Sequence, residues 1–283
     1  MATTISNIII KSSLFISSIC IGLSALVISC NPDETQTVTT FTNLVMADEF
    51  DVDGAPNPAM WTSDIGDGSD QGIPGWGNNE LQYYTDRPEN VVVENGMLKI
   101  TAINESFEGA SYTSARINTK DSFEQQYGRF EARIKLPWGQ GMWPAFWMLG
   151  SNSDLVTWPA CGEIDIMENR GSEPTIINGT IHGPGYSAGQ SITKAYELEN
   201  DRFDSGFHIF GIEWGEDYIN FYVDDALYNQ LTPSDVPDAW IFNDQPFYII
   251  MNVAVGGNYG GPPNENTVFP QEMLVDYVRV YSE

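Results

Sequence analysis

The feature that most restricts the fold of this chain is the near absence of a helical period. Short runs of alternating character recur instead, at Met97–Ile103, Tyr127–Leu136, Ala145–Leu149, Glu163–Glu168, Thr175–His182, Phe207–Trp214, Tyr218–Val223, Phe247–Val253 and Leu274–Tyr281. Gly, Pro, Asn and Asp bound them, as they bound strands rather than helices. So many strands can pair their backbone groups and bury one face each only as a sandwich or a barrel. The one stretch that reads as a helical turn is Pro233 to Ala239. No fixed-period repeat and no low-complexity linker interrupts the chain, so residues 42–283 are read as a single all-β domain.

The first residues are set aside from the fold. Lys11 precedes an apolar run from Leu14 to Ile28 that ends at Val27-Ile28-Ser29-Cys30, too short to span a bilayer comfortably. This is the layout of a secretory signal peptide with a lipobox, in which small Ser29 precedes the cleavage point and Cys30 becomes the acylated first residue. Residues 1–29 are then a lipoprotein signal peptide and 30–41 a polar tether. The protein is expected to be secreted and held at a membrane through that lipid anchor only, with Asp33-Glu34 pointing weakly to display on the outer surface.

Composition narrows the function. Of three cysteines only Cys30 and Cys161 survive processing, so no structural disulfide is expected. The core must come from burial, for which 42% hydrophobic and 12% aromatic residues are ample. A formal charge of −27 argues against a nucleic-acid partner, disfavours an anionic substrate and is compatible with a neutral one. With two histidines, a His-based metal centre or a Ser-His-Asp triad has little to draw on. His208 is read as a satisfied strand histidine and Cys161 as a small buried residue.

The chemistry is expected in Gly162-Glu163-Ile164-Asp165-Ile166-Met167-Glu168-Asn169. Alternate residues of a strand share a face, so Glu163 and Asp165 point one way and Ile164 and Ile166 the other. Glu168 is out of phase. One extra residue at Met167, a β-bulge, returns it to the face of the other two acids, and bulges gather next to active sites. The glutamates then act as positions four apart, roughly 13 Å between Cα atoms at about 3.3 Å per residue. Side chains leaning together across that gap approach the separation of about 5–5.5 Å that a retaining glycosidase needs. Three neighbouring acids cannot all ionise cheaply, so at least one is held protonated and can serve as an acid. Trp143 and Trp147, four apart, share the face opposite Phe146 and Met148 and suit a platform for sugar rings.

Glu-Ile-Asp-Ile-Met-Glu resembles the signature of glycoside hydrolase family 16. So do Trp-Pro-Ala-Phe-Trp-Met-Leu at 143–149, Phe-His-Ile-Phe-Gly-Ile-Glu-Trp at 207–214 and Asn-Val-Ala-Val-Gly-Gly-Asn at 252–258. The resemblance spans roughly Val45 to Tyr281. It implies a jelly-roll sandwich of two antiparallel sheets with a concave cleft, Glu163 as nucleophile, Asp165 as its assistant and Glu168 as acid/base. The segments 75–84 and 178–183 are similar to those of bacterial laminarinases, which implies endo-hydrolysis of neutral β-1,3-glucan by a monomer without a catalytic cofactor. Family members that cut mixed-linkage β-glucan, or galactan as agarases and carrageenases do, are the alternatives; a non-catalytic carbohydrate-binding sandwich would have no reason to keep all three acids. The resemblance further implies Asn79, Arg116, His182 and Asn252 as polar substrate contacts. It also implies a structural calcium at Glu49, Gly96 and Asp276, away from the chemistry.

Overall fold

The structure, a computed structural model, describes residues 40–283. The expected signal segment, Cys30 and nearly all of the expected tether lie outside them. Each of the nine runs read from the sequence falls on a strand. Among the strands that were not read, Thr62–Asp64, Gln82–Tyr84 and Arg116–Asn118 are too short to carry a period. The expected helical turn is a single 3-10 turn, Pro233–Asp235, capped reciprocally by Thr232 and Asp235. A short α-helical turn at Gly257–Gly260 was missed, since Gly-Asn-Tyr-Gly carries no helix signal.

Among the described residues the strands form two sheets, as expected. One runs, in spatial order, Ile192–Glu197, Ile176–His182, Glu163–Asn169, Met142–Gly150, Phe247–Val255, Arg116–Asn118 and Thr62–Asp64. The other is centred on His208–Gly215, Gly128–Lys135, Gln271–Ser282 and Met97–Phe107. Pairing is antiparallel except between Gln82–Tyr84 and Ala110–Ser114, which run parallel. Between the sheets lies one apolar core. Phe146, Met148, Ile164 and Ile249 enter it from the first sheet, and Phe130, Ile134, Phe210, Ile212 and Val275 from the second. Each is fully buried, and a side chain of that size stabilises by about 1.5–3 kcal/mol when buried. Among the described residues Cys161 is free and buried.

The acid-bearing strand departs from regular pairing where the sequence requires it. Against Met142–Gly150, Asp165 faces Trp147 and Met167 faces Phe146, so Ile166 is the extra residue. Against Ile176–His182, Asp165 faces Thr180 and Glu168 faces Asn178, leaving Gly179 opposite both Ile166 and Met167. Ile164, Ile166 and Met167 are all buried in the core. The bulge therefore places two apolar residues inside and returns Glu168 to the outer face.

Gly179 makes room for this. A Cβ built there would lie 2.3 Å from the Tyr228 hydroxyl and 2.7 Å from the Phe221 ring, both on the opposing sheet. Gly179→Ala is accordingly expected to destabilise the protein by about 1–3 kcal/mol through overpacking. Tyr228→Phe in the same background should recover part of the loss, because that hydroxyl is buried without a hydrogen-bond partner. Urea unfolding midpoints at unchanged slope measure both; a Gly179→Ala variant as stable as the wild type would contradict this packing.

Candidate active site

The outer face of the first sheet forms a cleft of about 790 Å³ whose lining includes Glu163, Asp165 and Glu168. Trp143, Ala145, Trp147 and Leu149 line it from the neighbouring strand, as strict alternation along Met142–Gly150 requires. On the other side stand Asn178, Thr180 and His182, and Asn252 comes from the strand beyond the tryptophans.

Each glutamate is held by an indole. Trp158 Nε1 donates to Glu163 Oε2 at 2.8 Å, and Trp143 Nε1 donates to Glu168 Oε1 at 2.9 Å. An indole is a donor with no acceptor, so it fixes a carboxylate without competing for the proton that the carboxylate must take or give. Desolvation pushes the Glu168 carboxyl up to about 7, against the pull of the Trp143 bond and with help from the Glu163 charge. Asp165 is buried between the two, and desolvation followed by the charges of Glu163 and Glu168 raises it well above the usual carboxylate range. Like charges in a dry site thus keep protons that water would remove.

His182 faces this group. Its Nε2 lies 3.1 Å from Asp165 Oδ2 and 3.5 Å from Glu163 Oε1. Burial opposes a charge on the ring, whereas Asp165 first, then Glu163 and Glu168, raise the imidazole where they are ionised. Its Nδ1 accepts the backbone N–H of Ala188 at 3.1 Å. The ligating atoms of Glu163, Asp165 and His182 lie within 4.8 Å of one another, a spacing that a cation could use. With Nδ1 already accepting, however, Nε2 carries the ring proton and does not fit as a ligand.

A second network supports the floor. Trp147 Nε1 donates to Asn252 Oδ1 at 2.8 Å, Asn252 Nδ2 to the Tyr84 hydroxyl at 3.1 Å, and that hydroxyl to Glu80 Oε2 at 3.2 Å. Gln82 Nε2 adds a bond to the same oxygen at 2.7 Å. Arg116 lies between the rings of Trp76 and Trp147, 4.6 and 4.8 Å from their centroids, and pairs with Asp64 at 2.8 Å.

Of the residues expected at the site, Glu163, Asp165, Glu168, Trp143, Trp147, Arg116, His182 and Asn252 all line the cleft. Asn79 does not; its amide reaches Asn258 Oδ1 at 2.8 Å and ties two rim loops together, while Asn78 and Glu80 on either side line the cleft. Trp143 has a different task from the one expected of it. Its ring packs against Tyr259, centroids 5.1 Å apart, and its N–H serves Glu168. Trp158, Trp76, Glu80 and Tyr259 were missed, because they sit outside the strands, where no period operates and only the return of the chain sets their position. Cys161 is buried, and burial, then the Glu163 charge, pushes its thiol up to about 11, so it is no nucleophile. His208 Nδ1 pairs with Asp224 Oδ2 at 2.9 Å, but its buried Nε2 has no hydrogen-bond partner, so the expected satisfied histidine is satisfied on one nitrogen only.

Glu49, Gly96 and Asp276 lie on the side of the other sheet. Arg279 grips both oxygens of Glu49 at 2.7 and 2.9 Å, and Arg133 donates to Asp276 Oδ2 at 2.6 Å. Register sets Asp48 beside Val278 and Leu98 beside Val275, on the strand that carries Asp276.

This geometry can be set beside known proteins. The family model described as glycosyl hydrolases family 16 matches residues 78–279. The laminarinase catalytic domain of Thermotoga maritima is 52% identical with a TM-score of 0.81, over 85% of this chain and 98% of that one. A beta-glucanase of Rhodothermus marinus is 43% identical over 84% of each chain. A glucan endo-1,3-beta-glucosidase A1 of Niallia circulans is 41% identical over 85% of this chain, which spans 38% of that longer protein. With its sandwich, its bulged acidic strand and these relatives, the chain belongs to glycosyl hydrolases family 16.

Proposed function

We propose that this protein is a retaining endo-hydrolase of β-1,3-glucan in which Glu163 attacks the anomeric carbon and Glu168 first protonates the leaving oxygen and then activates water. The observation that carries the assignment of roles is the unequal setting of the two glutamates. Glu168 is desolvated enough to protonate near neutrality, as an acid/base must. Glu163 takes the Trp158 N–H on one oxygen and faces the Asp165–His182 pair with the other. Relatives named as laminarinases and a glucan endo-1,3-beta-glucosidase support the substrate. So does the cleft, whose described arginines, Arg116 and Arg170, are already engaged by Asp64 and by Glu173 and Tyr259. No free guanidinium waits for a sulfated sugar among these residues, which favours a neutral glucan.

The same reading includes a structural calcium and a lipid anchor. The carbonyls of Glu49 and Gly96, with Asp276, offer the hard oxygen donors calcium takes, on the sheet that does not carry the acids; melting in calcium against chelator tests that part. The lipobox-like Ser29-Cys30 supports export and acylation at Cys30, with membrane fractionation of Cys30→Ala as its test.

Two outcomes check the roles of the acids. Glu163→Ala and Glu168→Ala should each lose about 10²–10⁴-fold in rate on an activated β-glucoside. Azide should restore turnover in both, but with opposite stereochemistry: a β-azide from Glu168→Ala, after two inversions through the glycosyl-enzyme, and an α-azide from Glu163→Ala, after one. An α-azide from Glu168→Ala would exchange or abolish the roles. The second outcome concerns pH. Glu168 must be protonated to donate, so kcat/KM should fall as pH rises through about 7. The Trp143 N–H stabilises the charged form, so Trp143→Phe should move this alkaline limb upward; a limb that moves down contradicts the assignment.

A further inference from the structure

We propose that His182 works as a neutral imidazole whose Nε2–H tautomer is set by the backbone N–H of Ala188, and that the proton held among Glu163, Asp165 and His182 rests on Asp165 rather than on the ring. The inference builds on the reading of Glu163 as nucleophile, but its first test does not depend on that reading.

Three observations carry it. First, the Ala188 N–H stands 3.1 Å from Nδ1. A doubly protonated ring would set two N–H groups head to head, whereas a neutral ring accepts there and keeps its one proton on Nε2. Second, the loop that delivers this N–H is built to do so. Ala188 has φ +49, a left-handed conformation that a residue with a side chain adopts at a cost. The surrounding turn is pinned by reciprocal backbone bonds between Gly183 and Tyr186, and the buried Tyr186 donates its hydroxyl to the Ala239 carbonyl at 2.8 Å. Third, Nε2 stands 3.1 Å from Asp165 Oδ2, a buried oxygen without a hydrogen-bond partner, and 3.5 Å from Glu163 Oε1.

The groups that face the ring explain where the remaining proton goes. Glu163, Asp165 and Glu168 stand on the adjacent strand, and the loop of residues 183–191 adds no ionisable group but the buried Tyr186. Charge alone favours an imidazolium, yet Nδ1 has no room for its second proton without losing the Ala188 bond. Asp165, more deeply buried than Glu163, is the group that loses least by being neutral. A protonated Asp165 and a donating His182 then bracket Glu163 without a full positive charge beside it. Glu163 keeps the negative charge that a nucleophile requires, and the ring orients it. When Glu163 becomes an ester, the same Nε2–H still faces Asp165 Oδ2 at 3.1 Å.

Because the chain has two histidines, the ring can be read directly. Protein labelled with 15N-histidine, with His208→Asn to assign the second ring, is examined by long-range 1H–15N correlation between about pH 5 and pH 8. The result expected is one protonated and one bare nitrogen for His182 throughout. Two protonated nitrogens at about pH 6 would overturn the proposal, whichever glutamate is the nucleophile. Kinetics give an independent reading. His182→Ala should lower kcat about 10- to 100-fold with little change in KM, the worth of one hydrogen bond to a charged group. His182→Gln, which keeps an N–H donor, should recover part of it. An unchanged kcat in His182→Ala, or a Gln variant no better than Ala, would contradict a positioning role.

Discussion

A strand repeats every two residues, and Glu163 and Glu168 are an odd number apart. Without correction, one of them would point into the apolar core, where an unpaired carboxylate costs several kcal/mol. The chain resolves the conflict by placing both Ile166 and Met167 inside. Much else in the site follows from that step. Gly179 must lack a side chain opposite the bulge, so that the second sheet can close beneath it. On the next strand Trp147 pairs with Asp165, and Trp143 reaches Glu168. His182 pairs with Glu163 across the other edge.

Electrostatics act on top of this placement. Three acids and a histidine share a cleft floor with few mobile donors, and fixed dipoles do the work that water does elsewhere: two indoles on the glutamates and one backbone amide on the imidazole. Such donors need no reorganisation when charge moves between Glu163, the sugar and Glu168. The floor beyond them is stiffened in the same manner, through Trp147, Asn252, Tyr84 and Glu80. Desolvation raises the Glu80 carboxyl, and three side-chain donors and the Arg116 charge offset part of that penalty.

What was legible in the sequence was what periodicity encodes. Phe247–Val255 declares itself through a run of β-branched and aromatic residues, and Glu163–Asn169 through the alternation of acids with isoleucines. The bulge was legible too, because a broken phase among acids is visible in a string of letters, but it was expected at Met167 and the unpaired residue against Met142–Gly150 is Ile166. Trp158 was not. It precedes Pro159 in a loop, and its bond to Glu163 depends on how residues 151–162 fold back over the strand they lead into. Trp143 was placed on the correct face but in the wrong company, since nothing local tells a sugar platform from a clamp on Glu168. Ala188 could not have been singled out at all, for its contribution is a backbone N–H.

The central claim is that the bulge brings Glu163 and Glu168 to the close spacing of a double displacement. The most direct measurement is the anomeric configuration of the first product released from a β-1,3-glucan by the wild-type protein, followed by proton NMR before mutarotation intervenes. Two successive inversions predict a β reducing end at the earliest times, decaying slowly toward the equilibrium mixture. An α reducing end formed first would mean a single displacement by water, a wider gap between the acids, and a different purpose for the bulge.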